Sequence, residues 1–298
     1  MNRESPEVSI YSTVRDGEAT LPQTLDSIAA QRGVVWELVV VDDGSSDRTP
    51  ALLREFAGRF AAGAVRIIES GAIGRAAALD LAWRDCRSRY VANIDADDLF
   101  HPHKLAAQVA VMNARPDIAA LATENLYVGA GQIPQWPSYA PPEGAFAGRT
   151  GSAPPGGAVA DLPVREITHL LGRFNPVNHS SVMLRRSVLK AVGGYDRQRR
   201  RQLDYDLWIR VAVSCGAIHL LDLPLAAKRL HAAQFFEARV SPAYILSSFV
   251  LQNRAIGALR LPAHYRGLAA VRVLYRLLPT PLRRLLTLPK RLLLSRPP

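Results

Sequence analysis

Three carboxylates stand within four positions at Asp95-Ala96-Asp97-Asp98, directly after the apolar run Tyr90 to Ile94. That run reads as a buried strand. Like charges gathered at its end repel one another unless a cation or a set of donors neutralises them. One Asp there would be an ordinary turn or cap residue. Three of them, followed by His101-Pro102 and a new helical pattern from Lys104, point to a divalent ion. Hard oxygen ligands suit Mg2+ or Mn2+, which usually keep positions open for a substrate's phosphates.

A second acidic loop, Asp42-Asp43-Gly44-Ser45-Ser46-Asp47, closes the apolar strand Glu37 to Val41. Upstream, Val8 to Ser12 forms a strand that ends at Thr13, and Leu21, Leu25, Ile28 and Ala29 recur at helical spacing. Downstream come a helix with Leu52, Leu53 and Phe56, a strand over Val65 to Ile68, and an Ala-rich helix from Arg75 to Arg87. Four alternations with short connections predict an α/β fold with a parallel sheet wound by helices. Ligands of such sheets bind beyond the carboxyl ends of the strands. Thr13, Asp42, Asp43 and Asp95 to Asp98 all fall at those ends. The dinucleotide fingerprint is absent, since Gly71 and Gly74 alone do not make one.

Ile118 to Val128 holds a further strand, and from Gly129 to Pro163 the composition turns to Gly, Pro, Ser and Ala. A stretch this long is expected to be a flexible loop or lid beside the pocket, with Trp136, Tyr139 and Phe146 either stacking on a sugar or anchoring the loop. Order resumes at Ile167 to Leu171. The turn Asn175 to Ser181 then leads into a strand, and the helix Arg186 to Val192 closes at Gly193-Gly194. A helix starts at Asp204-Tyr205-Asp206-Leu207, a last strand covers Ala217 to Leu220, and Lys228 to His231 follows a turn at Pro224.

The formal charge of +11 is concentrated at one end. Arg239, Arg254, Arg260, Arg266, Arg272, Arg276, Arg283, Arg284, Lys290, Arg291 and Arg296 run without a single acid, and they account for the whole excess. This excludes a generally basic nucleic-acid surface, and no aromatic stacking platform is evident. Leu268, Val271, Leu274, Tyr275 and Leu278 define one apolar helical face. A basic, Leu-rich amphipathic helix is expected either to lie on an anionic bilayer or to pack on the main domain. Cys86 and Cys215 have neither disulfide-framework nor zinc spacing. The polar N-terminus does not read as a signal peptide, and Arg interrupts every candidate membrane span. A cytoplasmic location is expected, with a peripheral place on the inner face of the membrane as its refinement.

Taken in order, these motifs resemble the family 2 glycosyltransferases, which have the GT-A fold: a mixed, mostly parallel sheet flanked by helices. The resemblance covers roughly Val8 to Leu230. It rests on the opening strand and helix, on Glu37 to Asp47, on Asp95-Ala96-Asp97-Asp98 as a DXD-like metal motif, and on Gly193-Gly194-Tyr195-Asp196 with Asp204 to Arg210 as an acceptor-side segment. It implies transfer of a sugar from a nucleoside diphosphate sugar to a saccharide or lipid-linked acceptor, with Mn2+ or Mg2+ as cofactor. By the same resemblance Asp43 receives the nucleobase, while Asp42 and Thr13 frame base and ribose. Asp97 or Asp98 binds the ion and Asp95 reaches the ribose or a water on the ion. Asp204 is the base, with Asp206 as its rival, and His231 lies near the diphosphate. His179 is expected to be structural, and Arg75 and Arg197 to Arg201 either to be solvated surface charge or to meet diphosphate or an anionic acceptor.

The expected organisation is a catalytic domain over 1–237, split into 1–128, the loop 129–163 and 164–237, then a basic helical tail over 238–298. The chain departs from the family pattern at Thr13 to Asp16, in lacking an Arg-Asn pair in the third helix, and at Leu203, where an acid is usual. A nucleotidyltransferase of the same fold would need a basic Gly-rich loop that Thr13 to Gly17 does not supply. A non-catalytic scaffold would not need the intact Asp95 to Asp98 group.

Overall fold

A computed structural model describes residues 5–139, 162–230 and 241–278. One sheet organises them, in the order β3-β2-β1-β4-β8-β6-β9-β5, with β7 paired to β9. Its strands are β1 (Val8–Val14), β2 (Trp36–Asp42), β3 (Val65–Glu69), β4 (Tyr90–Asn93), β5 (Leu99–Phe100), β6 (Ala120–Gly129), β7 (Val164–Glu166), β8 (Met183–Arg185) and β9 (Ile218–Leu230). The pairings of β1 with β2 and β4, β2 with β3, and β6 with β9 are parallel. The short strands β5, β7 and β8 run against their neighbours, so the sheet is mixed but mostly parallel.

Both faces are covered, and the alternation of strand residues assigns each side chain to its layer. Ile10, Leu38 and Val40 pack with α1 (Leu21–Ala29), α2 (Thr49–Gly58) and α4 (Lys104–Ala114). Tyr11, Val39 and Val41 pack with α3 (Arg75–Arg84), α5 (Arg186–Ala191) and α6 (Leu203–Ser214). Strand order turns back between β1 and β4, with β2 beyond one and β8 beyond the other. That switch opens a crevice at the carboxyl ends.

Two elements differ from the sequence expectation. The last strand runs on to Leu230, because Pro224 sits at a register shift opposite Glu124 and is absorbed as a bulge. The C-terminal region holds two helices, α7 (Pro242–Ala258) and α8 (His264–Leu277), which fold back as a hairpin. Leu251 and Ala255 of α7 join the core. In α8 the inward residues are Ala269 and Arg272, whereas Leu274 is 67 % exposed, so the expected Leu268–Leu278 face is not the packed one. No helix among the described residues is long and apolar enough to cross a membrane.

Candidate active site

The loop after β2 holds itself in shape before it can hold anything else. Asp42 Oδ1 accepts the Ser45 N–H at 3.1 Å, the turn role an Asp at this place commonly takes. Asp43 points the other way, and its two oxygens receive the Gly74 N–H at 3.0 and 3.2 Å. Gly74 has φ +89° and precedes α3, so the helix start is pinned against the loop. The next residue, Arg75, donates from Nη2 to Asp95 Oδ1 at 2.7 Å. A continuous run of contacts therefore joins Asp43 to the carboxylates beyond β4. Thr13, half-buried, lies on β1 beside Val41. Arg75 is accordingly a partner of the site and not solvated surface charge.

Asp95, Asp97 and Asp98 bring oxygen atoms within 4.8 Å of one another. Asp98 is buried: Ser180 Oγ donates to its Oδ2 at 2.5 Å and the Arg229 N–H to its Oδ1 at 3.1 Å. Burial, then the charges of Asp97 and Asp95, push its carboxyl well above the usual range. Asp95 goes the opposite way. Burial disfavours its charge, but Arg75 and His179 outweigh that and hold it well below the usual range. Arg229, itself buried, donates from Nε to the Asp97 carbonyl at 3.1 Å and also reaches Gln23. Thr24 Oγ1 fastens the Ala96 and Asp98 carbonyls at 3.0 and 2.9 Å. Three hard, mutually repelling oxygen donors on a loop fixed from below fit a divalent cation of the Mg2+ or Mn2+ kind.

Beside this rim lies a cavity of about 460 Å3, lined among others by Asp95, Asn178, His179, Asp204, Tyr244 and Arg276. Asp204 occupies the first turn of α6, and Asn175 Nδ2 donates to its Oδ2 at 2.7 Å. Asp206 is in a different situation. It is 2 % exposed and meets Arg210 Nε and Arg254 Nη1 at 2.8 Å and Arg199 Nη2 at 3.3 Å. Ahead of α6, Gln202 takes φ +51° and its Nε2 donates to Tyr244 O at 3.1 Å and Ser248 Oγ at 2.6 Å. Arg272 of α8 donates to the Arg173 carbonyl, two residues from Asn175. The hairpin thus braces both walls around Asp204.

The remaining expectations resolve individually. His179, read as structural, is buried and sits with Nδ1 3.2 Å from Asp95 Oδ1. Arg197, though 60 % exposed, pairs with buried Asp80 at 3.0 Å and Arg199 with Asp206, while Arg200 and Arg201 stand exposed. Trp136 and Tyr139 pack edge-on against His101, the anchoring alternative for these two aromatics. Phe146 and His231 lie outside the described residues. Sequence reasoning passed over Ser180, Arg229 and Asn175. None of the three sits in a repeating pattern, and only the folded sheet brings them to the acids.

Comparison with known proteins agrees with this architecture. The model of "Glycosyl transferase family 2" matches residues 9–152. EpsE of Bacillus subtilis (strain 168), named as a glycosyltransferase, is 26% identical over 266 residues, which span 86% of this chain and 84% of that one. Among solved structures, S. aureus TarS 1-349 in complex with UDP-GlcNAc superposes with a TM-score of 0.65 at 15% identity, covering 91% of this chain and 72% of that one. The mannosyltransferase PcManGT from Pyrobaculum calidifontis, in complex with GDP-Man and Mn2+, gives 0.55 at 18% identity, over 97% and 85% of the two chains. The two structures share the GT-A-type fold, EpsE shares sequence over most of its length, and residues 9–152 match the family 2 model: the comparisons support a glycosyltransferase similar to those of family 2.

Proposed function

We propose that the enzyme is metal-dependent and inverting, and moves a sugar from a nucleoside diphosphate sugar to an acceptor hydroxyl in the assembly of a cell-surface polysaccharide or glycolipid. The run Asp43–Gly74–Arg75–Asp95 carries this reading, because it makes the nucleotide loop, the three acids and the cavity holding Asp204 one continuous surface. Asp43 takes the nucleobase, with Thr13 and Asp42 framing base and ribose, and Asp95 reaches the ribose or a water on the ion. Asp97 and Asp98 hold Mn2+ or Mg2+. When bound, such an ion offsets the charge gathering on the departing nucleoside diphosphate. The donors named in the TarS and PcManGT structures, and the Mn2+ of the latter, support the same donor class and cofactor here. By the resemblance, His231 serves the diphosphate.

Asp204 removes the acceptor's proton as the anomeric carbon gains oxocarbenium character, so that a single displacement inverts the centre. Asn175 holds one of its oxygens and so aims the other. Asp206, enclosed by three arginines, is spoken for as an anchor, which favours Asp204 between the two. The acceptor is a saccharide or a lipid-linked sugar. On the hairpin's outer side Leu246, Val250, Val271, Leu274 and Leu277 stand exposed amid an acid-free basic segment, and this surface lies on an anionic bilayer.

Thermal-shift measurements with UDP-, GDP- and dTDP-sugars, each with and without Mn2+, test the donor site. One donor should stabilise the protein only with the metal present. No stabilisation by any pair would count against the whole reading.

A further inference from the structure

Three buried aromatic side chains stand in line behind Asp95. Tyr11 on β1 is 0 % exposed, Tyr195 3 % and His179 4 %. Tyr11 Oη lies 2.7 Å from Tyr195 Oη, Tyr195 Oη lies 2.6 Å from His179 Nε2, and His179 Nδ1 lies 3.2 Å from Asp95 Oδ1. A carboxylate only accepts, so Nδ1 carries the proton on that side. In the neutral imidazole Nε2 must then accept from the Tyr195 hydroxyl, and the Tyr195 oxygen accepts from Tyr11. In that neutral form every donor in the row points towards Asp95.

The row ends on one oxygen. Asp95 Oδ1 takes both His179 and the Arg75 guanidinium, while the Asp95 N–H is held by Ser180 Oγ at 3.0 Å. No hydrogen bond among the described residues reaches Oδ2. A carboxylate gripped through one oxygen presents the other at a fixed angle, as partners behind a metal-binding group commonly arrange.

Tyr195 reaches this row by an unusual backbone path. Gly193 and Gly194 both adopt φ +76°, which side-chain-bearing residues rarely take. A Cβ on Gly194 would collide with Trp83 Nε1 and Asp80 Oδ1, so the turn is pressed flat on α3 and the ring of Tyr195 is directed under the sheet. The resemblance places Gly193-Gly194-Tyr195-Asp196 on the acceptor side, yet its tyrosine runs to the donor side.

We infer that Tyr195 and His179 are positioning residues for the donor half of the reaction, which aim Asp95 Oδ2 at the metal–diphosphate group through the relay from Tyr11. This rests on the metal-dependent reading given above, and takes the double-glycine turn as a device serving the donor.

The test uses the full chain, with Mn2+ binding in the presence of UDP followed by the loss of the free-ion electron paramagnetic resonance signal. His179→Ala should weaken Mn2+ binding by about 10- to 100-fold, the range seen for partners behind metal ligands. His179→Asn, whose amide can stand where Nδ1 does, should recover most of it. Tyr195→Phe loses one oxygen atom, keeps the ring, and should shift binding in the same direction; it remains informative where His179→Ala does not fold. Variants that melt lower but bind Mn2+ with UDP as the parent does would reduce the row to packing and overturn the inference. A parent protein that binds no Mn2+ with UDP would instead remove the metal-dependent reading, and the relay with it.

Discussion

Asp43 and Asp95 reach the rim from the ends of β2 and β4, the two strands flanking β1 in one parallel register. Asp204 reaches the cavity from the first turn of α6, and its surroundings come from Asn175, from α7 and from α8. The proposed donor half is thus held by sheet geometry, the proposed acceptor half by side chains that cross between distant segments. A change in the first should spoil chemistry and leave the fold standing. A change in the second should disturb both, unless it strikes the reacting carboxylate alone.

The largest effect is expected at the proposed metal rim. Asp97→Ala should lower sugar transfer by on the order of a thousandfold or more, since without the ion the diphosphate is a poor leaving group. Its melting temperature should hold or rise, because one of the charges that oppose ionisation of buried Asp98 is gone. Substantial Mn2+-dependent transfer by this variant would unseat Asp97.

Next comes the pair on α6. Asp204→Asn should lose about 10²- to 10⁴-fold in transfer at constant melting temperature, the usual worth of a general base. Asp206→Asn strips a charge from three arginines and should cost about 3–5 kcal/mol of stability in a denaturant titration. If the two variants behave alike, the distinction between reacting group and anchor fails.

A third test probes the donor layer away from chemistry. Lys104 is 0 % exposed, with Nζ 2.9 Å from Gln108 Oε1 and 4.0 Å from the Phe100 ring centre, and burial pushes it down to about 7. Between about 7 and 10.5 the unfolded chain keeps a proton that the folded one has shed. Stability should therefore rise with pH across that window, by at most about 1.4 kcal/mol per pH unit. Denaturation midpoints at pH 7 and pH 9.5 should differ for the parent and much less for Lys104→Met; equal slopes would refute it.

The smallest effect on stability belongs to the hairpin's outer side. Leu274→Asp with Val250→Asp should change stability by no more than about 0.5 kcal/mol, as exposed substitutions do. Co-sedimentation with anionic vesicles should nonetheless fall, and unchanged partitioning would dismiss the bilayer contact.

How far the sequence could be read follows the same divide. Strands β1 to β4 announce themselves as short apolar runs, β2 and β4 closed by Asp, and their order puts Thr13, Asp42, Asp43 and Asp95 at one edge. Pro224 misled, because proline usually ends a strand and nothing local signals that β9 takes it up as a bulge. α7 falls inside the helical tail expected over 238–298 but is not marked off within it: its apolar residues are spread around the helix, and only packing selects Leu251 and Ala255. Arg272 lies off the expected apolar face but turns inward to the Arg173 carbonyl, a bond between residues far apart in the chain. Arg229 likewise gave no signal, since the partner it serves is brought to it by the sheet.

The double brace of the C-terminal hairpin has a consequence for engineering. Gln202 and Asp206 grip α7, and Arg173 grips α8, so the two helices are keystones of the acceptor wall and not a detachable handle. Anyone grafting a new acceptor preference from a related enzyme must transplant the stretches around Arg173, Gln202 to Arg210 and the whole hairpin as a single cassette. Exchanging any one of them alone would leave mismatched masonry around Asp204, the proposed base.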